Sequence, residues 1–402
     1  MTHPEIAARM DRIEASASAE MSQRAREMKE AGRDIIALSS GQPDFPTADH
    51  VIAAAHRAAL DGQTAYTTVS GTTALKDAVI AKFRRENGLT YTRDQVIVGN
   101  GGKQVIFNAF MAGTEVGDEC ILPAPFYIPY IDMVRFARGV PVVVTCGPEA
   151  DFKLTAEHLA KAITPKTRWL LINSPNNPTG AVYEERDLKA LAEVLLDHPR
   201  VGVISDDVYE HICFDGLRFA TMARVEPRLF ERTVTVNGVS KAFSMTGWRI
   251  GYAGAHKDMI KQMNKLQGLV TVGACSISQA AAVAALNGPQ DYVAERSKSF
   301  EERRDLVVSM LNQAPGISCP MPKGAFYVYP SCAGVIGKTT PDGRVIETDH
   351  DFVMYLLEGE GVATVHGGAY GVSPHFRISY ASSVAELTEA CQRIQRACAA
   401  LR

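Results

Sequence analysis

A chain of 402 residues exceeds the roughly 250–300 at which a single hydrophobic core stops growing, so two packed subdomains are expected. Its 42 basic and 45 acidic residues are interspersed and leave a formal charge of −3, which offers no field for a nucleic-acid backbone or an anionic membrane and points to small-molecule partners. Eight scattered cysteines without a Cys-x-x-Cys spacing suit buried thiols in a reducing compartment better than disulfides or zinc, and no signal-like or membrane-spanning run is read, so a cytoplasmic protein is expected.

In chain order, a helical pattern over residues 15–31 belongs to an N-terminal segment, 1–48, expected to pack with a small C-terminal unit. Residues 49–290 alternate short β-rich apolar runs with helical patterns, the signature of an α/β domain whose mostly parallel sheet carries helices on both faces. Val96-Ile97-Val98 leads into Gly99-Asn100-Gly101-Gly102, and Trp169-Leu170-Leu171-Ile172 into Asn173-Ser174-Pro175. Val201-Gly202-Val203-Ile204 leads into Ser205-Asp206, and Val234-Thr235-Val236 into Asn237-Gly238. Each run delivers small or polar residues at its C-terminal end, where open α/β sheets bind ligands. The helix-periodic stretch 292–311 carries the chain into a smaller α+β domain, 291–402, with strands read at 325–329 and 376–380.

Gly99-Asn100-Gly101-Gly102-Lys103-Gln104 is neither a dinucleotide fingerprint, which needs glycine where Gln104 stands, nor a P-loop, which needs Ser or Thr after Gly-Lys. Its glycines are read either as a tight turn or as the opening of a helix over 103–111 whose free N–H groups attract an anion. Ser240-Lys241-Ala242-Phe243-Ser244-Met245-Thr246-Gly247-Trp248-Arg249 follows a buried strand. Lys241 between apolar neighbours is expected to be desolvated, which lowers an amine's pKa and makes it a Schiff-base nucleophile. Arg249 nearby has a fork suited to a phosphate ester. Together they suggest an aldehyde cofactor bearing a phosphate.

These segments, with Ser39-Ser40-Gly41-Gln42-Pro43-Asp44, Pro123-Ala124-Pro125-Phe126-Tyr127, Ser174-Pro175-Asn176-Asn177-Pro178-Thr179-Gly180, Ser205-Asp206-Asp207-Val208-Tyr209 and Arg377-Ile378-Ser379-Tyr380, give the chain a resemblance over nearly its whole length. It resembles a fold-type I pyridoxal-phosphate aminotransferase of the bacterial aspartate aminotransferase branch. The resemblance implies that Lys241 carries pyridoxal 5'-phosphate and that Asp206 faces the ring nitrogen. It places Asn177 and Tyr209, read here as a helix residue, against the ring's phenolic oxygen. Tyr127 stands where many relatives have a tryptophan on the ring face. Gly101, Gly102, Lys103, Ser240 and Arg249 are implied around the phosphate, with Tyr66 reaching in from a second subunit of a homodimer. Arg377 is implied to grip the substrate's α-carboxylate, helped by Asn177 and the backbone of Gly41, while Lys103, Ser16 and Ser18 meet a distal carboxylate.

The implied reaction is ping-pong transamination between an amino acid and a 2-oxo acid such as 2-oxoglutarate, with aspartate or a broad-range, aromatic-accepting donor. The resemblance implies that Thr271-Val272-Gly273-Ala274-Cys275-Ser276 contributes across the dimer, and the stretch is less polar than that role leads one to expect, which leaves room for aromatic or other apolar donors. Because the fold hosts several chemistries, a lyase, an aminocyclopropane-carboxylate-synthase-like enzyme and an aminotransferase-like regulator stay open as alternatives. The ten histidines, His211 and His366 among them, show no metal spacing. His366-Gly367-Gly368-Ala369-Tyr370 is read as a candidate mobile loop over the site.

Overall fold

The computed structural model describes residues 6–13 and 16–402. Twelve strands are found among them: β1 (Ile36–Ala37), β2 (Val96–Gly99), β3 (Glu119–Ala124), β4 (Val140–Thr145), β5 (Thr167–Asn173), β6 (Gly202–Asp206), β7 (Thr233–Gly238), β8 (Gly251–Gly254), β9 (Tyr327–Val328), β10 (Val362–Ala363), β11 (Val365–His366) and β12 (Phe376–Ser379). Seven form one sheet in the order β2-β8-β7-β6-β5-β3-β4, in which only β8 runs antiparallel to its neighbours. The α/β architecture expected from the alternating pattern is present.

Three strands of that sheet escape the pattern for identifiable reasons. β3 and β4 contain Pro123 and Pro141, which normally demote a run, and β4 tolerates its proline because it lies at the sheet edge. β8 is Gly-Tyr-Ala-Gly, with little side-chain signal. A Cβ on Gly251 would collide with the backbone of Gly101 and Gly102, and one on Gly254 with the Tyr91 ring. Gly251 therefore lets the Gly101–Gly102 turn lie directly on β8, and Gly254 makes room for the Tyr91 ring.

Apolar layers cover both faces of the sheet. One includes Val79, Phe83, Tyr252 and Ala281, another Val105, Phe110, Trp169 and Met263, all buried. Each of the larger side chains contributes roughly 1.5–3 kcal/mol on leaving water. A second core unites Met21 and Ala25 of helix Ala17–Glu30 with Phe326, Leu356 and Ile378; the expected start of that helix at Ala15 lies outside the described residues. Beside this core, β11-β12-β9 form an antiparallel sheet and β1 pairs with β10. The expected strand over 325–329 is reduced to two ladder residues, because Ala325 has a φ of +56° and gives its N–H to the Ile212 carbonyl.

Residues 366–371, expected as a mobile loop, form a short helical turn that is buried at two positions, with Gly368 and Gly371 exposed. Gly367 and Tyr370 are buried, Phe126 N–H donates to the Tyr370 carbonyl at 3.1 Å, and Asp349 accepts from Gly368 N–H at 3.0 Å. Of the eight free cysteines six are buried, but Cys275 is exposed ahead of helix Ser276–Asn287. Among the described residues no helix is long and apolar enough to cross a membrane.

Candidate active site

The C-terminal ends of β5, β6 and β7 open into a cavity of about 350 Å³, lined among others by Asp206, Lys241, Arg249 and Arg377. Lys241 lies in the turn after β7. Its Nζ donates to the Gly41 carbonyl at 2.7 Å and stands 5.6 Å from the Tyr209 ring centre and 5.8 Å from that of Phe326. Burial, aided by the positive charges of Arg377 and Arg249, lowers its pKa to about 8.

Asp206 closes β6 and is buried. Its Oδ2 accepts the Tyr130 hydroxyl, and its Oδ1 accepts Val208 N–H at 3.3 Å. Burial pushes its carboxyl up to about 6, against the hydrogen bonds it accepts. One cavity thus holds an amine and a carboxyl whose environments drive their titrations toward neutrality, a pattern associated with proton-transfer sites.

Tyr209 lies in the turn directly after β6, not on a helix as the sequence suggested, because the chain turns over 208–210 and Glu210 is drawn inward. Fully buried Lys82 donates to Glu210 and, at 2.7 Å, to Asn87 Oδ1. Glu86, Glu210 and His211 come close enough to suggest a cation site, yet the Lys82 ammonium already supplies positive charge there.

Arg377 projects from β12. Its Nη1 donates to Asn177 Oδ1 at 3.1 Å, and its Nη2 to the Ser39 carbonyl and, at 3.5 Å, to Ser18 Oγ. The guanidinium lies over the Tyr327 and Tyr370 rings at 4.9 and 5.2 Å. Its buried Nε has no acceptor, so the fork retains an unused donor.

At the other end of the cavity, Arg249 sits in a left-handed conformation with φ +55°. It donates to the Thr246 carbonyl at 2.9 Å and to that of Asn100 at 3.3 Å. Gly101 has φ +87°, and a Cβ there would collide with the Arg249 guanidinium, so glycine is required on both counts. Gly102 begins helix Gly102–Gly113, whose N-terminus, with Ser240 and Arg249, borders the cavity. Lys103 and Tyr127 also line it, the ammonium 5.5 Å from the ring centre.

Gly41, Asn177, Tyr209 and Ser18 share the cavity wall with these residues. Three sequence candidates do not: Gly101, which lies behind the Arg249 guanidinium, Ser16 and Tyr66. Ser16 precedes helix Ala17–Glu30 as its cap residue without a side-chain cap bond, and Tyr66 is 94% exposed. Sequence reasoning missed Tyr130, Asn173, Thr246 and Tyr327, all cavity residues. Tyr130 sits in the first turn of a helix that begins at Pro129, just after Tyr127, and no spacing rule singled it out; Tyr327 read only as strand.

A family model described as aminotransferase class I and II matches residues 33–394. A "probable aspartate/prephenate aminotransferase" of Rhizobium leguminosarum bv. phaseoli is 56% identical, with 99% of each chain covered. An "aspartate/prephenate aminotransferase" of Cereibacter sphaeroides is 53% identical, with 97% of this chain and 98% of the relative covered. Among solved structures, the aspartate aminotransferase of Rhizobium meliloti superposes with a TM-score of 0.97 at 52% identity, covering 100% of both chains. That of Thermus thermophilus with maleate reaches 0.91 at 39% identity, covering 98% of this chain and 100% of that one.

Proposed function

The chain belongs to the class I and II aminotransferases, and on that premise we propose that it uses pyridoxal 5'-phosphate, bound through Lys241, to move the amino group of aspartate or a broader range of donors to 2-oxoglutarate. The observation that carries this reading is the pairing of Lys241, lowered to about 8, with Asp206, raised to about 6, in one cavity. The residues fit the cofactor. The Gly101–Arg249 cradle and a helix N-terminus suit its phosphate, and a buried carboxyl without a close ion partner suits its ring nitrogen.

Pyridoxal phosphate supplies an electron sink for negative charge developing at the substrate α-carbon. Asp206, whose carboxylate accepts the Tyr130 hydroxyl, would hold a proton on the ring nitrogen by ion pairing. Tyr209 and Asn177 would hold the ring oxygen, Tyr127 would hold the ring, and Gly101, Gly102, Lys103, Ser240 and Arg249 would hold the phosphate. Lys241 Nζ would be the residue that takes the substrate's α-proton. Arg377, whose Nε has no acceptor, receives the α-carboxylate as a bidentate partner, with Asn177 and Gly41 beside it.

Lys103 and Ser18, which line the cavity, are assigned to a distal carboxylate, and Ser16, which the resemblance places with them, lies outside the cavity wall. Maleate in the Thermus neighbour is a dicarboxylate, and relatives named for prephenate make that dicarboxylic 2-oxo acid a second acceptor to assay. The homodimer is supported by exposed Tyr66, Leu269 and Val270; segment 66–69 is tied to the helix that carries Leu269 and Val270 by Gln267 Nε2, which donates to the Val69 carbonyl at 2.6 Å. Eight unpaired cysteines fit a cytoplasmic setting.

Initial rates with aspartate, phenylalanine and alanine against 2-oxoglutarate test the donor assignment, and no aspartate turnover removes it. Lys103→Ala is expected to raise KM for dicarboxylates on the order of 10- to 100-fold more than for phenylalanine, the ~1.5–3 kcal/mol of a charge-assisted hydrogen bond.

A further inference from the structure

Tyr327, on β9, is fully buried and lines the cavity, yet no role above uses it. Its hydroxyl stands 2.8 Å from that of Tyr209. Its ring lies beneath the Arg377 guanidinium at 4.9 Å. A Cβ built on Gly41, whose carbonyl accepts from Lys241, would collide with the same hydroxyl. Three chain segments that carry separate proposed roles thus converge on one phenol.

We propose that Tyr327 is a positioning residue that sets how strongly Tyr209 hydrogen-bonds the cofactor's ring oxygen, while its ring separately supports Arg377. The proposal rests on the pyridoxal-phosphate reading above. A phenol has one proton to give. When Tyr209 spends its proton on the cofactor, its oxygen can only accept, and the neighbour placed to donate is Tyr327 at 2.8 Å. A hydroxyl that accepts a hydrogen bond becomes a stronger donor through polarisation along the chain. The donor at the ring oxygen drains negative charge that would otherwise hold a proton on the neighbouring Lys241 nitrogen. Weakening that donor therefore raises the protonation midpoint of this nitrogen in the loaded enzyme.

The test is a spectrophotometric pH titration of the bound cofactor in full-length loaded enzyme: wild type, Tyr327→Phe, Tyr209→Phe and the double variant. Tyr327→Phe should raise the midpoint by about half to one pH unit, the size of one neutral hydrogen bond. The double variant should go no further than Tyr209→Phe, because one residue acts through the other. KM for aspartate should stay within about threefold of wild type while kcat falls, since the ring under Arg377 is kept. Gly41→Ala, which crowds the hydroxyl with Tyr327 retained, is the second variant and should move the midpoint the same way. A midpoint equal to wild type in Tyr327→Phe, or shifts that add in the double variant, overturns the proposal. An unmoved midpoint in Tyr209→Phe itself strikes the underlying assignment of Tyr209, and the proposal falls with it.

Discussion

Lys241 and Asp206 show how burial prepares two side chains for chemistry. The lysine, at about 8 when folded against 10.5 for an unperturbed one, binds fewer protons folded than unfolded between those values. Its contribution to stability is present above the unfolded value and lost as pH falls through about 8. The carboxyl, at about 6 against 3.8, binds more protons folded; its contribution is present below 3.8 and lost as pH rises through about 6. Between pH 6 and 8 the cofactor-free protein therefore bears both costs, and a ligand that neutralises the pair relieves them. The rate at which cofactor-free protein captures pyridoxal phosphate should rise with a midpoint near pH 8; stopped-flow absorbance giving a midpoint near 10.5 would show an unperturbed lysine. Tyr130→Phe leaves Asp206 short of a donor and should weaken cofactor binding roughly tenfold in equilibrium dialysis, the size of one hydrogen bond to a charged group. Lys241 was legible because a strand and a turn surround it in sequence. The Tyr130 contact was not, since 76 residues separate it from Asp206.

The elements matter through their ends. β5, β6 and β7 are parallel, so their C-termini deliver Asn173, Asp206 and the Lys241 turn to one rim. Beneath the Asp206–Glu210 turn, the Lys82–Glu210 pair and Asn87 fill a site closed to water. Lys82→Ala would strand the Glu210 carboxylate, and urea denaturation should show a loss of about 3–5 kcal/mol. An unchanged denaturation midpoint would mean that the turn does not depend on this pair. Periodicity found the apolar strands. It missed β3, β4 and β8 because proline and glycine mask a strand whose place is decided by its neighbours.

For the whole molecule, the exposed Tyr66 ring has meaning in the proposed dimer. If Tyr66 completes the partner's site, mixing Tyr66→Ala chains with Lys241→Ala chains should regain roughly a quarter of wild-type activity. Random exchange makes half the dimers hybrid, each with one intact site. No recovery, in hybrids verified by native mass spectrometry, would place Tyr66 in its own subunit's site or outside both.

By itself the sequence determined the alternating strand–helix plan, the glycine turn before a helix and the lysine after a buried strand, because these depend on neighbours within a few residues. Only the tertiary structure decided that Tyr327 meets Tyr209 and Arg377, that Tyr130 caps Asp206, and that Gly367 and Tyr370 are buried. Those contacts join segments far apart in the chain. A hydrogen bond or a ring contact acts over a few ångströms of space, a distance that residue spacing along the sequence does not encode.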